Sequence, residues 1–176
     1  NIKVWTYQDP SQTVLSYKGE TTYDVPIERA VALVLDVQNT PKWVPNVARA
    51  EVLSRDDKKG EFTLYMVLDF PFPLKDRDRV VKGKMFKDAN GTISIKNKAI
   101  ASGKPLNPNY IRLKNYEGDW VFQKIAGNKT KVTTTGFADP EGSIPQSVTN
   151  MLVEQQPGQM LQKMKAELAK NSVLPA

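Results

Sequence analysis

The sequence predicts an α+β fold: an antiparallel sheet with helices on one side and one long helix closing the chain. Three observations predict it. Residues Glu61–Phe70 alternate, with Phe62, Leu64, Met66, Leu68 and Phe70 on one face and Thr63, Tyr65, Val67 and Asp69 on the other, the period of a half-buried strand. Similar runs recur between turn signals, among them the hairpin signal Asn90-Gly91. After Asp139 the spacing of apolar residues changes to three and four. Ile144, Val148, Met151 and Leu152, then Met160, Leu161, Met164 and Leu168, form one helical stripe.

Taken in order, Ile2–Tyr7 reads as a strand, Asp9, Pro10 and Ser11 as a turn, and Val14–Tyr23 as a strand rich in Thr, Tyr and Val. Asp24 or Val25 ahead of Pro26, with Glu28 in the first turn, opens a helix that runs to about Val37. Asn39-Thr40-Pro41 starts a short second helix, with Thr40 as its cap, Trp43 on it and Pro45 as its end. The remaining strands are Val47–Arg55, Glu61–Phe70, Arg77–Phe86, Thr92–Ile100, one long strand Tyr110–Ile125 bulged near Gly118, and Thr130–Ala138. Two prolines take Pro71-Phe72-Pro73-Leu74 out of the sheet, because each removes a ladder donor. Ser102–Asn109, with Gly103, Pro105 and Pro108, is a second loop. The closing helix is entered through Gly142, Ser143 and Pro145 and is expected to kink at Pro157-Gly158. With no repeat and no internal linker, residues 1–176 read as a single domain.

Composition narrows the function. Apolar residues at 40% and charged residues at 25% are ordinary for a soluble globular chain. No apolar run approaches the ~20 residues that span a bilayer. A net charge of +6 permits attraction to anionic lipid or nucleic acid. The basic residues are scattered, however, and do not interleave with aromatics, which argues against a nucleic-acid partner. The chain has no cysteine and no histidine, so disulfides, thiolate nucleophiles, the usual zinc sites and histidine triads are excluded. Neither a cofactor nor a metal is expected. A start at Asn1 rather than Met, with no cysteine, points to a secreted or periplasmic chain and leaves a cytoplasmic one open.

Five stretches in this order resemble the START domain (StAR-related lipid-transfer) family of the Bet v 1-like superfamily, in its bacterial-type single-domain form. They are Ile2-Lys3-Val4-Trp5; Ala32–Trp43 with Asp36 and Trp43; Pro71–Asp78 with its Arg77-Asp78 pair; Ile111-Arg112 followed by Gly118 and Trp120; and Asp139–Pro145 followed by Asn150. The resemblance spans nearly the whole chain. It implies a helix-grip fold: a curved antiparallel sheet wrapped around a long C-terminal helix, with two short helices after the second strand. It also implies an internal cavity holding a lipid-like small molecule, no catalysis, that ligand and a transient membrane-surface contact as the partners, and a monomer. One departure concerns the acid and base that some sterol-carrying members place in the cavity. The matching positions here are near Leu64 and Gly83, which implies a more apolar cavity or polar contacts placed elsewhere.

Under that resemblance, Phe62, Leu64, Met66, Leu68 and Phe70 form one cavity wall, with Val81 and Met85 on the next strand. Val148, Met151, Leu152, Met160 and Met164 face them from the helix, and Trp43 joins the lining. An apolar strand face and a methionine stripe are equally the marks of a plain core, and pattern alone favours that. Arg112 is the first candidate for a head-group contact, because a regular strand puts it on one face with Tyr110, Tyr116 and Trp120. A structural Arg112 paired with an acid is the alternative. Arg77 with Asp76 or Asp78 reads first as a clamp at the strand's start, while Asn150 and Gln155 are further polar candidates on the helix. Phe72 and Leu74 form an apolar door expected to pack on the C-terminal helix, with Gly103–Asn109 as the second lip. The alternatives are a polyketide cyclase or aromatase in the same fold, which needs several convergent polar groups, and an interaction domain with a filled core.

Overall fold

Period-two alternation becomes strand pairing along most of the chain. The computed structural model describes residues 2–8, 10, 14–142 and 144–170. The turn expected at Asp9 and Ser11 and the helix start expected at Ser143 lie outside the described residues. The strands are β1 (Lys3–Tyr7), β2 (Ser16–Tyr23), β3 (Val47–Asp56), β4 (Glu61–Leu68), β5 (Asp76–Lys87), β6 (Ile93–Ile100), β7 (Tyr110–Arg112), β8 (Tyr116–Ile125) and β9 (Lys129–Ala138). They form one nine-stranded sheet in the order β1-β2-β9-β8-β6-β5-β4-β3, with β7 paired to β5 off that path. The β5–β7 pairing is parallel and the rest antiparallel.

Between β2 and β3 lie helix α1 (Ile27–Leu35) and a 3-10 turn (Val37–Lys42). The cap expected at Thr40 is not made: Asp36 stands at the start of that turn, and Thr40 is buried inside it. Asp36 precedes the turn and accepts a 2.6 Å hydrogen bond from Asn39 Nδ2. The curved sheet wraps a C-terminal helix made of α2 (Gln146–Asn150), a π-helical turn (Met151–Gln155) and α3 (Gln156–Ala169). The expected interruption at Pro157 therefore begins one turn earlier. Pro157 lacks an N–H for the ordinary helical bond, and the Gln156 N–H just before it reaches back to the Met151 carbonyl, five residues away.

A second difference lies at residues 110–125. The expected single strand is two, broken at Leu113–Asn115. β7 turns to run parallel to β5, with Asp78 opposite Arg112, and the Leu113 N–H continues this pairing to the Asp78 carbonyl at 2.8 Å.

The core fills one half of the space between sheet and helix. Ile27, Ala30 and Val31 of α1 pack with Phe122, Val132 and the α3 residues Leu161, Met164 and Leu168. Tyr23 donates to the Leu161 carbonyl at 2.7 Å and Arg29 to the Leu168 carbonyl at 3.0 Å. At Gly19 the helix rests on the strand itself: a Cβ there would lie 2.9 Å from Leu161 Cδ1. Gly19→Ala is therefore expected to push α3 off β2 and to lower unfolding stability by about 1–3 kcal/mol, read as a shifted urea midpoint. An unshifted midpoint would show that this contact bears no load.

Candidate functional site

In the other half of that space the helix stands off the sheet. The floor comes from β4, where alternation turns Phe62, Leu64, Met66 and Leu68 inward, with Phe70 just beyond the strand and Val81 on β5. Trp43, Val37 and Leu113 close one side, and Leu152, Val153, Gln156, Pro157 and Met160 form the roof. The cavity between them offers about 140 Å³ to the centres of water molecules, and about 1350 Å³ of space outside any atom when its open mouth is included. That exceeds the void that holds a single water. Leu15 and Leu35 line it and are exposed, which marks where it meets the surface.

Most of the apolar candidates come together here. Trp43, Leu64, Met66, Leu68, Phe70 and Val81 line the cavity, as do Tyr116, Leu152 and Met160. Others do not. Met164 lies in the filled half of the core. Val148 is buried but does not reach the cavity, and Met151 does not line it. Gln155 is exposed, and Gln156 takes the place expected for it, donating to the Pro45 carbonyl at 2.7 Å. The π turn explains the exchange of Gln155 for Gln156: one extra residue in that turn rotates the positions that follow, so a stripe drawn at α-helical spacing points to the wrong neighbour. Asn150 accepts from Gln146 on the helix surface.

Phe72 is no part of the lining. It is 97% exposed, so it cannot be a door packed on the C-terminal helix. Its loop is held instead to the second loop by Lys75 Nζ, which donates to the Pro108 carbonyl at 3.0 Å.

Arg112 is also placed elsewhere, and its expected shared face with Tyr116 is lost at the break between β7 and β8. It lies buried against Asp78, with Nε to Oδ1 at 2.8 Å and Nη2 to Oδ2 at 3.2 Å. Its remaining donors reach the carbonyls of Lys104 and Pro105, both at 3.0 Å. Tyr65 completes the group by donating to Asp78 Oδ2 at 2.6 Å. Burial, followed by this hydrogen bond to the carboxylate, pushes the Tyr65 phenol up to about 12. Arg112 is thus a satisfied structural ion that pins the Gly103–Asn109 loop to the sheet. Arg77 is a clamp as well, but on other partners: it donates to the carbonyls of Lys75, Pro140 and Glu141 and packs over Phe70.

The polar side chains that do reach the cavity include Tyr17, Arg79, Asn97, Tyr116 and Gln156. Arg79, Asn97 and Tyr17 were missed from sequence. The signal for Arg79 was present: it is opposite Met66 in register and two residues from Val81, so alternation places all three on the cavity face. Gly83 is glycine for a steric reason, since a Cβ there would lie 2.1 Å from the Phe62 ring and 2.4 Å from Asn97 Oδ1.

Comparison with known proteins follows the same lines. The START domain family model matches residues 4–172. A protein of Pseudomonas aeruginosa, named only as uncharacterized, is 27% identical over 169 residues, covering 96% of this chain and 83% of its own. The crystal structure of a STAR-related lipid transfer protein from Xanthomonas axonopodis is similar at a TM-score of 0.86 and 26% identity, over 96% of this chain and 94% of that one. The mitochondrial StAR-related lipid transfer protein 7 of Mus musculus is 27% identical over 126 residues, 70% of this chain, which spans only 34% of that longer relative.

The two arginines are separable by experiment. Arg112→Met leaves the Asp78 carboxylate buried without its ion and is expected to lower unfolding stability by about 3–5 kcal/mol in a urea titration. Binding of a hydrophobic ligand by the folded variant should stay within about twofold of the parent. A selective loss of binding with stability intact would return Arg112 to the site.

Proposed function

The chain belongs to the START domain family, and on that premise we propose that it is a non-enzymatic binding protein holding one lipid or other hydrophobic small molecule between its sheet and C-terminal helix. The observation that supports this most directly is the half-filled interior. The C-terminal helix packs tightly on the sheet at Leu161, Met164 and Leu168, yet stands off at Leu152–Met160 over an apolar floor. A filled-core interaction domain has no reason to leave that gap. Burying hydrocarbon is worth about 0.8 kcal/mol per CH₂. Roughly ten methylenes then give a gross gain near 8 kcal/mol, so a long acyl chain needs few polar contacts. As a transporter of such a ligand, the chain would load and unload it by lifting the roof. That movement breaks the Gln156–Pro45 hydrogen bond next to the π turn, where the helix is least regular.

Lipid is expected to co-purify with the protein and to appear in native mass spectra as a discrete added mass, identified after extraction. Leu64→Trp, which fills the floor, should reduce that occupancy at least tenfold. Empty wild-type protein that takes up nothing from a broad lipid panel would end this reading.

The same reading includes a transient membrane contact. Phe72, 97% exposed, and Leu106, 74% exposed, project from two loops joined through Lys75 and Pro108, and the chain carries a net charge of +6. Apolar tips beside lysines suit an anionic bilayer surface. Replacing both tips, Phe72→Ser with Leu106→Ser, should weaken co-sedimentation with phosphatidylglycerol vesicles at least fivefold while leaving lipid occupancy unchanged. Equal sedimentation of parent and variant would remove these loops from the contact.

A further inference from the structure

The cavity contains one buried charge that no other charge answers. Arg79 is 9% exposed and lines the cavity, and it forms no ion pair among the described residues. Its Nε is buried without a hydrogen-bond partner, and its Nη2 reaches only the Met66 sulfur at 3.6 Å. The guanidinium lies 3.7 Å from the centre of the Tyr116 ring. Stacking on that ring restrains it and supplies some cation–π attraction, but ring contact satisfies none of its in-plane donors.

Two more orphans line the same cavity. Trp43 Nε1 and Asn97 Oδ1 are both buried and without partners, so all three unsatisfied side-chain atoms identified among the described residues border one space. Tyr17 also lines it, and its phenol is shifted upward by burial and by Tyr116, while Arg79 pulls it back. Native proteins satisfy most buried polar groups, so three exceptions around one space need a common explanation. The other two arginines of this region are answered by carbonyl or carboxylate acceptors, Arg77 through three hydrogen bonds and Arg112 through four. The contrast is within one neighbourhood and one residue type.

From this we infer that the hydrophobic ligand is an acidic amphiphile whose carboxylate or phosphate head group is bound by Arg79, which the Tyr116 ring holds in place. This rests on the reading of the cavity as a lipid site and adds the head-group class to it. A planar guanidinium offers a carboxylate or phosphate oxygen two parallel donors. A neutral alcohol of the same chain length leaves the charge unanswered. Asn97 Oδ1 is an acceptor and adds a preference for a head group that also carries a hydroxyl or amide donor.

The test compares oleate with oleyl alcohol, which share a chain and differ in charge. Each is titrated at pH 8 into the full chain freed of co-purified lipid. The readout is fluorescence of Trp43 and Trp120, both of which line the cavity. Oleate is expected to bind at least tenfold more tightly than oleyl alcohol. Arg79→Gln should remove that preference, weakening oleate about tenfold and leaving oleyl alcohol within about twofold, while Arg79→Lys should restore part of it. Lysophosphatidate, with the same chain on a phosphate, shows which anion is preferred. Inorganic phosphate at millimolar concentration should not compete, and competition by it would overturn the amphiphile in favour of a free-anion site. Equal binding of oleate and oleyl alcohol by the parent protein would overturn the head-group assignment alone, and needs no variant to fold. Binding of neither would sink the lipid reading and this inference with it.

Discussion

Everything at the cavity depends on how one strand distributes three consecutive charges. Arg77, Asp78 and Arg79 follow Asp76 at the start of β5, and because side chains alternate across a strand, the two arginines face inward and Asp78 outward. All three are buried. Asp78 is answered by Arg112 and Tyr65 on the outer face, where the group ties β7 and its preceding loop to the sheet. Arg77 is answered by backbone. It holds the Pro140 carbonyl at 2.9 Å and the Glu141 carbonyl at 2.7 Å, fixing the point where the chain leaves β9 for the helix. Glu141 and Gly142 there sit at positive φ, 56° and 79°, a backbone that a non-glycine residue adopts readily only when its surroundings hold it.

The roof is consequently fixed at both ends. Arg77 secures its start, and Tyr23 and Arg29 secure the far end through the Leu161 and Leu168 carbonyls. Between those anchors the helix changes from α to π geometry and back. The segment over the cavity therefore combines irregular backbone hydrogen bonding with little packing beneath it. These features identify the parts of a fold that open before the rest. A helix packed along its whole length would have to leave the sheet entirely to admit a ligand. One fixed at its ends can admit a ligand by moving only its middle.

The fold was legible because its signals are periodic. Phe62 to Phe70 declared a strand and its buried face together, and the cavity floor followed from the same alternation. The roof was legible only in part, because a helical stripe assumes 3.6 residues per turn throughout, and the π turn displaces Gln155 outward and brings Gln156 in. The place of Arg112 was not legible for a different reason. Alternation gives a residue's face only while its strand continues. The break at Leu113–Asn115 and the parallel turn of β7 put Arg112 next to Asp78, a pairing of residues far apart in sequence. No local pattern tells a saturated arginine from an unsaturated one, since the difference lies in what the rest of the chain brings to it.

That difference has an energetic meaning. A buried cation without acceptors is destabilising, on the order of 1–3 kcal/mol for an unmade hydrogen bond and more for a charged group. Stacking on an aromatic ring returns about 2 kcal/mol when the pair is desolvated. For Arg79 the cost and the return are of similar size, whereas Arg77 on the same strand and Arg112 on β7 are matched by fixed carbonyl and carboxylate groups. The chain has enough acceptors nearby to satisfy two arginines and does so. An arginine left unanswered on the cavity face gains most from an occupant that supplies the missing charge, which is the head group inferred above.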